Sequence, residues 1–165
     1  MSKLLNKKRV ITNKSKLEYR MYGLVPYNIS PIQQGIQYGH ALQEYNNKHF
    51  DDEDFRKWRL SDKTFIIYNG GTTNHSGYLN SMGSMNKHLI ELESNKIKVA
   101  TFYEPDLGNQ LTAIVFLVDE RVWNKEKYPD DNGWDPFEDW TIDIENKELK
   151  KIMFLRMFLK QFRFA

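Results

Sequence analysis

The spacing of apolar positions changes period along the chain, and each change marks an element. Leu17 to Tyr27 predicts a strand, with Leu24 and Val25 near its end and Pro26 stopping it. Ser30 to about Asn46 predicts a helix. Ser30 suits its N-cap, Pro31 its first position and Gln33 the third residue of a capping box. Asp51 to Arg59 reads as a short second helix, acidic in its first turn and basic in its last, as the helix dipole prefers. Lys63 to Tyr68 is β-branched and aromatic, which predicts a buried strand, and Asn69 to Asn74 reads as a loop. Ser84 to Asn95 carries a helical stripe of Met85, Leu89 and Leu92. Ile97 to Tyr103 predicts a third strand, ended by Glu104-Pro105. Leu111 to Val118 is almost wholly apolar, so this strand should be central and covered on both faces. Trp123 to Ile144 has no period, with Pro129, Gly133 and Pro136 among Trp134, Phe137 and Trp140. Glu145 to Phe162 predicts a last helix with Arg156, Lys160 and Arg163 on one face and apolar side chains over most of the rest.

The order β-α-α-β-α-β-β implies the α/β class: a single-domain three-layer sandwich with a four-stranded mixed β-sheet flanked by helices, plus a C-terminal helical extension. Residues 1–16 form a basic arm, 17–122 the α/β domain, and 123–165 an aromatic and acidic connection with the last helix. Docked on the domain, that helix buries its phenylalanines. Undocked, it exposes an apolar patch that calls for a partner, such as a second copy in a homodimer.

Composition narrows the classes. The 165 residues suffice for one core, and 40% hydrophobic with 14% aromatic residues is a globular composition. There are no cysteines, which excludes disulfides, thiolate catalysis and cysteine-ligated zinc. No apolar run reaches membrane-spanning length and the start lacks a secretory signal, so a cytoplasmic protein without a membrane partner is expected. A net charge of +2 says little, but its distribution says more. Lys3, Lys7, Lys8, Arg9, Lys14 and Lys16 stand in a stretch without acids, and acids dominate from Asp130 to Glu148. Such an arm can track RNA phosphates, or simply be a solvated chain end. Abundant lysine and asparagine hint at an AT-rich genome, as in a bacterial virus.

Three groups could carry chemistry. On the first helix Gln33, Gln37 and His40 share a face, with Ser30 and Gln34 beside them. Glutamine offers both donor and acceptor, and histidine is the common proton carrier near neutral pH. The competing reading is a satisfied, half-buried His40 among solvated glutamines. Gly35 and Gly39 leave that helix without side chains at two positions, at about 1 kcal/mol each, as if something approaches closely. The second group is Glu104 to Thr112 (EPDLGNQLT), where Glu104 and Asp106 could divide acid and base roles at the end of a strand. It also reads as an ordinary turn. The third is Asn69 to His75, a glycine and hydroxyl loop that could hold phosphate or merely connect; it matches neither phosphate-loop spacing nor a dinucleotide fingerprint. His40, His49, His75 and His88 lack metal-ligand spacing, so neither a metal nor a cofactor is expected.

The opening strand followed by Ser-Pro-x-Gln-Gln-x-x-Gln-x-x-His-Ala resembles the type II peptidyl-tRNA hydrolase family. Ser30, Gln37, His40 and Ala41 match that family's helix motif, and the Glu104–Thr112 segment is similar to its loop before the last strand. Trp58 after the short acidic helix fits as well. The resemblance covers about Leu17 to Val122 and implies a site between the first helix and the Glu104–Thr112 loop. It implies hydrolysis of the ester bond in peptidyl- or N-blocked aminoacyl-tRNA. Glu104 or Asp106 would activate water with His40, and Ser30, Gln33, Gln34, Gln37, Asn109, Gln110 and Thr112 would hold the substrate. Gln33 stands where the family has a lysine. That substitution favours a second reading, a non-catalytic module binding RNA or a nucleotide, such as a viral protein sequestering a nucleotide signal. A protein-interaction or oligomeric role is the third.

Overall fold

The computed structural model describes residues 16–73, 83–128 and 144–165. Its elements are β1 (Tyr19–Pro26), α1 (Pro31–His49), α2 (Glu53–Lys57), β2 (Thr64–Gly71), α3 (Ser84–Ser94), β3 (Val99–Glu104), β4 (Gln110–Asp119), α4 (Glu120–Trp123) and α5 (Ile144–Leu159). A π-helical turn, Trp58–Asp62, follows α2, and a 3-10 turn, Pro105–Leu107, joins β3 to β4.

The four strands form one mixed sheet in the order β2-β1-β4-β3. β1 and β2 are parallel, while β4 runs antiparallel to both of its neighbours. β1, β2 and β3 therefore share a direction, and their carboxyl ends lie at one end of the sheet. Strand periodicity divides the core in two. From β1 and β4, Tyr22, Leu24, Ile114, Phe116 and Val118 pack with Met85 and Leu92 of α3 and with Ile152, Leu155 and Phe158 of α5. On the other face Met21, Val25, Ala113 and Val115 pack with Tyr38, Ala41 and Tyr45 of α1 and with Phe55 and Trp58. The result is the expected three-layer α/β sandwich, and the C-terminal helix docks on the domain.

Gly23 is what brings α1 so close. A Cβ there would overlap the Tyr38 ring, which lies against β1 and donates its hydroxyl to the Met21 carbonyl at 2.7 Å. Burial raises the Tyr38 phenol well above its ordinary range, so it stays a donor.

Several expectations change. The segment from Thr64 is an edge strand, half-buried rather than buried, and Phe65 is 51% exposed. It also runs on through Asn69 and Gly71, which were expected in a loop. The second helix stops at Lys57 and its last turn widens to a π-turn, letting Trp58 Nε1 donate to the Thr64 carbonyl at 3.0 Å. Arg156, expected on a basic face, is buried instead. Its Nε donates to the Arg121 carbonyl at 2.9 Å and its Nη2 to the Tyr128 carbonyl at 2.7 Å. Most of the basic arm, and nearly all of the aromatic segment after Tyr128, lie outside the described residues.

Candidate functional site

At the carboxyl ends of β1 and β3, α1 begins and the β3–β4 connection turns back. The Ser30 Oγ accepts the Gln33 N–H at 3.3 Å, so the N-cap forms as expected. Gln34 ties the start of the helix to β1 by donating from Nε2 to the Pro26 carbonyl at 3.0 Å. One turn further, Gln37 faces the sheet and is only 4% exposed.

The Gln37 carboxamide is the centre of the site. Its Nε2 donates to Glu104 Oε2 at 2.6 Å, and its Oε1 accepts from the Thr112 hydroxyl at 2.5 Å. The Thr112 hydroxyl also lies 3.3 Å from the Phe102 carbonyl. Residues from α1, β3 and β4 thus form a single chain of hydrogen bonds. A β-bulge makes this possible. Phe102 pairs with Ala113 while Tyr103 pairs with Leu111, so Thr112 is the extra residue on β4. Without it, strict alternation would send Thr112 to the α3–α5 face; with it, Leu111 takes that direction and Thr112 meets Gln37. Thr112 has no exposed surface, so it positions Gln37 rather than touching a ligand.

Glu104 closes the chain at the surface. Its Oε1 accepts the Asp106 N–H at 3.2 Å, capping the 3-10 turn. The Gln37 bond first, then the Asp106 N–H, hold its carboxyl below the usual carboxylate range, and the nearby His40 imidazole adds to the effect. His40 is exposed, not half-buried, and stacks on Phe102 with ring centroids 4.4 Å apart and planes 19° apart. The connection is completed by Asn109, in the left-handed region at φ 57°, whose N–H donates to the Glu104 carbonyl at 2.9 Å. Gln110 pairs with Glu104 across the hairpin. Gln33 in the first turn of α1 and Asp106 and Asn109 in the β3–β4 connection are exposed, and no hydrogen bond joins their side chains to Gln37 or Glu104.

Seven of the predicted residues (Gln37, His40, Glu104, Asp106, Asn109, Gln110 and Thr112) therefore lie at or against the β3–β4 turn, while Ser30 and Gln34 are engaged in starting α1 and Gln33 is exposed on its first turn. Phe102, the support for His40, was missed because aromatic residues in a strand read as core. The bulge was missed too; its trace is a threonine inside the apolar run Leu111–Val118.

The described part of the glycine and hydroxyl loop, residues 69–73, does other work; Asn74 and His75 lie outside the described residues. The Gly71 N–H donates to Asn69 Oδ1 at 2.8 Å and the Thr72 N–H to Ser84 Oγ at 2.8 Å, so two of the amides a phosphate would need are spent inside the fold. Gly71, at φ 92°, sits against Ser84 at the start of α3. Around Gly35 and Gly39 there is open space, and no part of the described chain approaches them.

Among the described residues, no three His, Asp or Glu side chains cluster as metal ligands. No described helix is long and apolar enough to cross a membrane. No family model, curated protein or solved structure matches this chain.

Proposed function

We propose that this protein is a peptidyl-tRNA hydrolase-like enzyme that cleaves the ester bond of peptidyl- or N-blocked aminoacyl-tRNA at the His40–Glu104 site. The observation that carries this reading is the Gln37 bridge, which aims an ionised, half-exposed carboxylate at the surface beside an exposed imidazole. His40 would take a proton from water as the water oxygen bonds to the acyl carbon. The ester C–O bond then breaks, and the ribose oxygen leaves with the proton. Glu104 offsets the charge formed on His40 and orients the water. Gln37 and Thr112 hold Glu104 in place. The exposed Gln33, Asp106 and Asn109 and the half-buried Gln110 would contact the ribose and ester, and the basic arm would hold RNA phosphates.

One observation favours a second reading, a module that binds RNA or a nucleotide without cleaving it. Both Glu104 oxygens already accept hydrogen bonds and the carboxyl is held ionised, so it serves better as an acceptor for ligand donors than as a base. The exposed face of the His40–Phe102 stack could receive a base.

Incubation with N-blocked aminoacyl-tRNA separates the two. Release of the blocked amino acid that falls roughly a hundredfold in both His40→Ala and Glu104→Gln supports the hydrolase. Retention of the RNA with no release supports the binding module. Release unaffected by either substitution removes this site from the reaction.

A further inference from the structure

The two edges of the sheet are treated differently. The outer edge of β2 is covered by the chain's own end: the Asn69 N–H donates to the Arg163 carbonyl at 2.9 Å, the Ala165 N–H to the Ile67 carbonyl at 3.0 Å, and Tyr68 bridges Phe164. No strand among the described residues pairs with the outer edge of β3. The Phe102 carbonyl faces β4, next to the Thr112 hydroxyl, so by the alternation of an antiparallel ladder the N–H and C=O groups of Val99, Thr101 and Tyr103 point outward. Among the described residues, only the Val99 carbonyl has partners there, at 3.4 Å from Lys48 Nζ and from His49 Nε2. A groove lined by Glu44, Asn47, Lys48, Ala100 and Thr101 runs along this edge. β3 has neither the proline nor the bulge with which exposed edges are usually blunted.

We infer that β3 pairs antiparallel with β3 of a second copy, about a two-fold axis at Thr101, joining two sheets into one of eight strands. The charges at the ends of the strand select this occupant and this register. Centring on Thr101 sets Val99 opposite Tyr103, Ala100 opposite Phe102, and Lys98 of each copy opposite Glu104 of the other. Parallel pairing loses both charge pairs, and a slip of two residues trades them for Lys96–Glu104 or Lys98–Asp106, in which Lys96 (φ 60°) and Asp106 (in the 3-10 turn) have left the extended backbone. Lys98 and Glu104 have the parity of Ala100 and Phe102, which face α1, so they meet on one side of the joined sheet. Residues of this parity form the non-hydrogen-bonded pairs, where side chains come closest. α1 packs over both β3 and β4, so the two copies of α1 would lie about 10 Å apart, a normal packing distance. Lys98 is more than half exposed and contacts Asp52 of its own chain, so reaching across exchanges that contact for Glu104 of the second copy. The pairing would bring a cation from the second copy to Glu104 and make the candidate site part of the interface. It does not depend on the reaction proposed above.

Sedimentation of the full chain over a wide concentration range tests this. The expected species is twice the 19.7 kDa chain mass. Thr101→Pro removes an outward N–H that the sheet does not use, so it should leave a folded monomer. Lys98→Glu should weaken association about tenfold by placing like charges opposite each other, and K98E/E104K should restore it. In case the proline variant misfolds, amide exchange in the unaltered protein reads the same contact: the Thr101 N–H should slow as concentration rises. A monomer at every concentration, a dimer that survives Thr101→Pro in a folded chain, or Thr101 exchange independent of concentration would overturn the proposal.

Discussion

Two polar clusters sit at opposite ends of the same strands, and they are built to different ends. At the far end, Asp119 closes β4, accepts the Arg121 N–H at 2.8 Å as the N-cap of α4, and holds the Arg121 guanidinium at 3.1 and 2.9 Å. Arg121 is 3% exposed, and Glu148 of α5 stands 3.7 Å from its Nη1. Close by, Asp62 accepts the Tyr19 N–H at 2.9 Å and pairs with Lys57, while Asp54 accepts the Tyr19 hydroxyl at 2.9 Å. Charge there meets opposite charge within the fold. At the near end the buried members, Gln37 and Thr112, are neutral, and the one charge they orient, Glu104, reaches solvent. The first arrangement fastens the layers together. The second leaves a directed carboxylate whose remaining lone pairs face outward, as a binding or catalytic group requires.

Cutting the far cluster should have the largest effect. Asp119→Ala strands a buried guanidinium and removes the α4 cap; the expected loss is about 3 kcal/mol of unfolding free energy in denaturant titrations. Gln37→Leu should cost less, about 1 kcal/mol, since the Thr112 hydroxyl can fall back on the Phe102 carbonyl. That variant also sharpens the contrast, because an NMR titration should show the Glu104 carboxyl rising toward its ordinary value once its main hydrogen-bond donor is gone. Acid gives a smaller signature. Glu120, next to Arg121, is held below 4.5, against the cost of its burial, by Lys127, the Glu18 N–H and Asn124. A lowered folded pKa contributes stability above the unfolded value that is lost as pH falls through the folded one. Glu120→Gln should therefore flatten the decline in stability below pH 4.5 and lower stability above it. Glu104→Gln should lower the denaturation midpoint at pH 7 only slightly, because the Gln37 and Asp106 hydrogen bonds that hold its pKa down add a little stability there while the side chain still reaches solvent. A marked loss there would make Glu104 a structural residue and erase the difference between the two ends.

Much of this was legible in the sequence because it depends on neighbours in the chain. The period of Leu17–Tyr27, the Ser30–Pro31 start of α1, the stripe Met85–Leu89–Leu92 and the apolar run Leu111–Val118 each reflect local geometry and burial. Together they gave the order of elements and a four-stranded mixed sheet. Gln37, His40 and Glu104 could be singled out because polar residues at helical spacing, and a carboxylate at a strand end, depart from what packing alone asks for.

Tertiary structure decided the rest. Whether Thr64–Gly71 lies at the edge or in the middle depends on which strand it pairs with, and pairing is a contact between distant residues. The bulge at Thr112 is a register shift between two strands and leaves no local pattern except one hydroxyl in an apolar run. Arg156 belongs by helical period to a basic face, but the carbonyls of Arg121 and Tyr128 lie within its reach and draw it inward. Gln37 was one of three equivalent polar positions until α1 settled on β1 over Gly23, which turned that carboxamide alone toward Glu104. Local periodicity determines which elements form and which faces they bury; the hydrogen bonds of the site join residues 67 and 75 positions apart, and only the packed sheet brings them within reach.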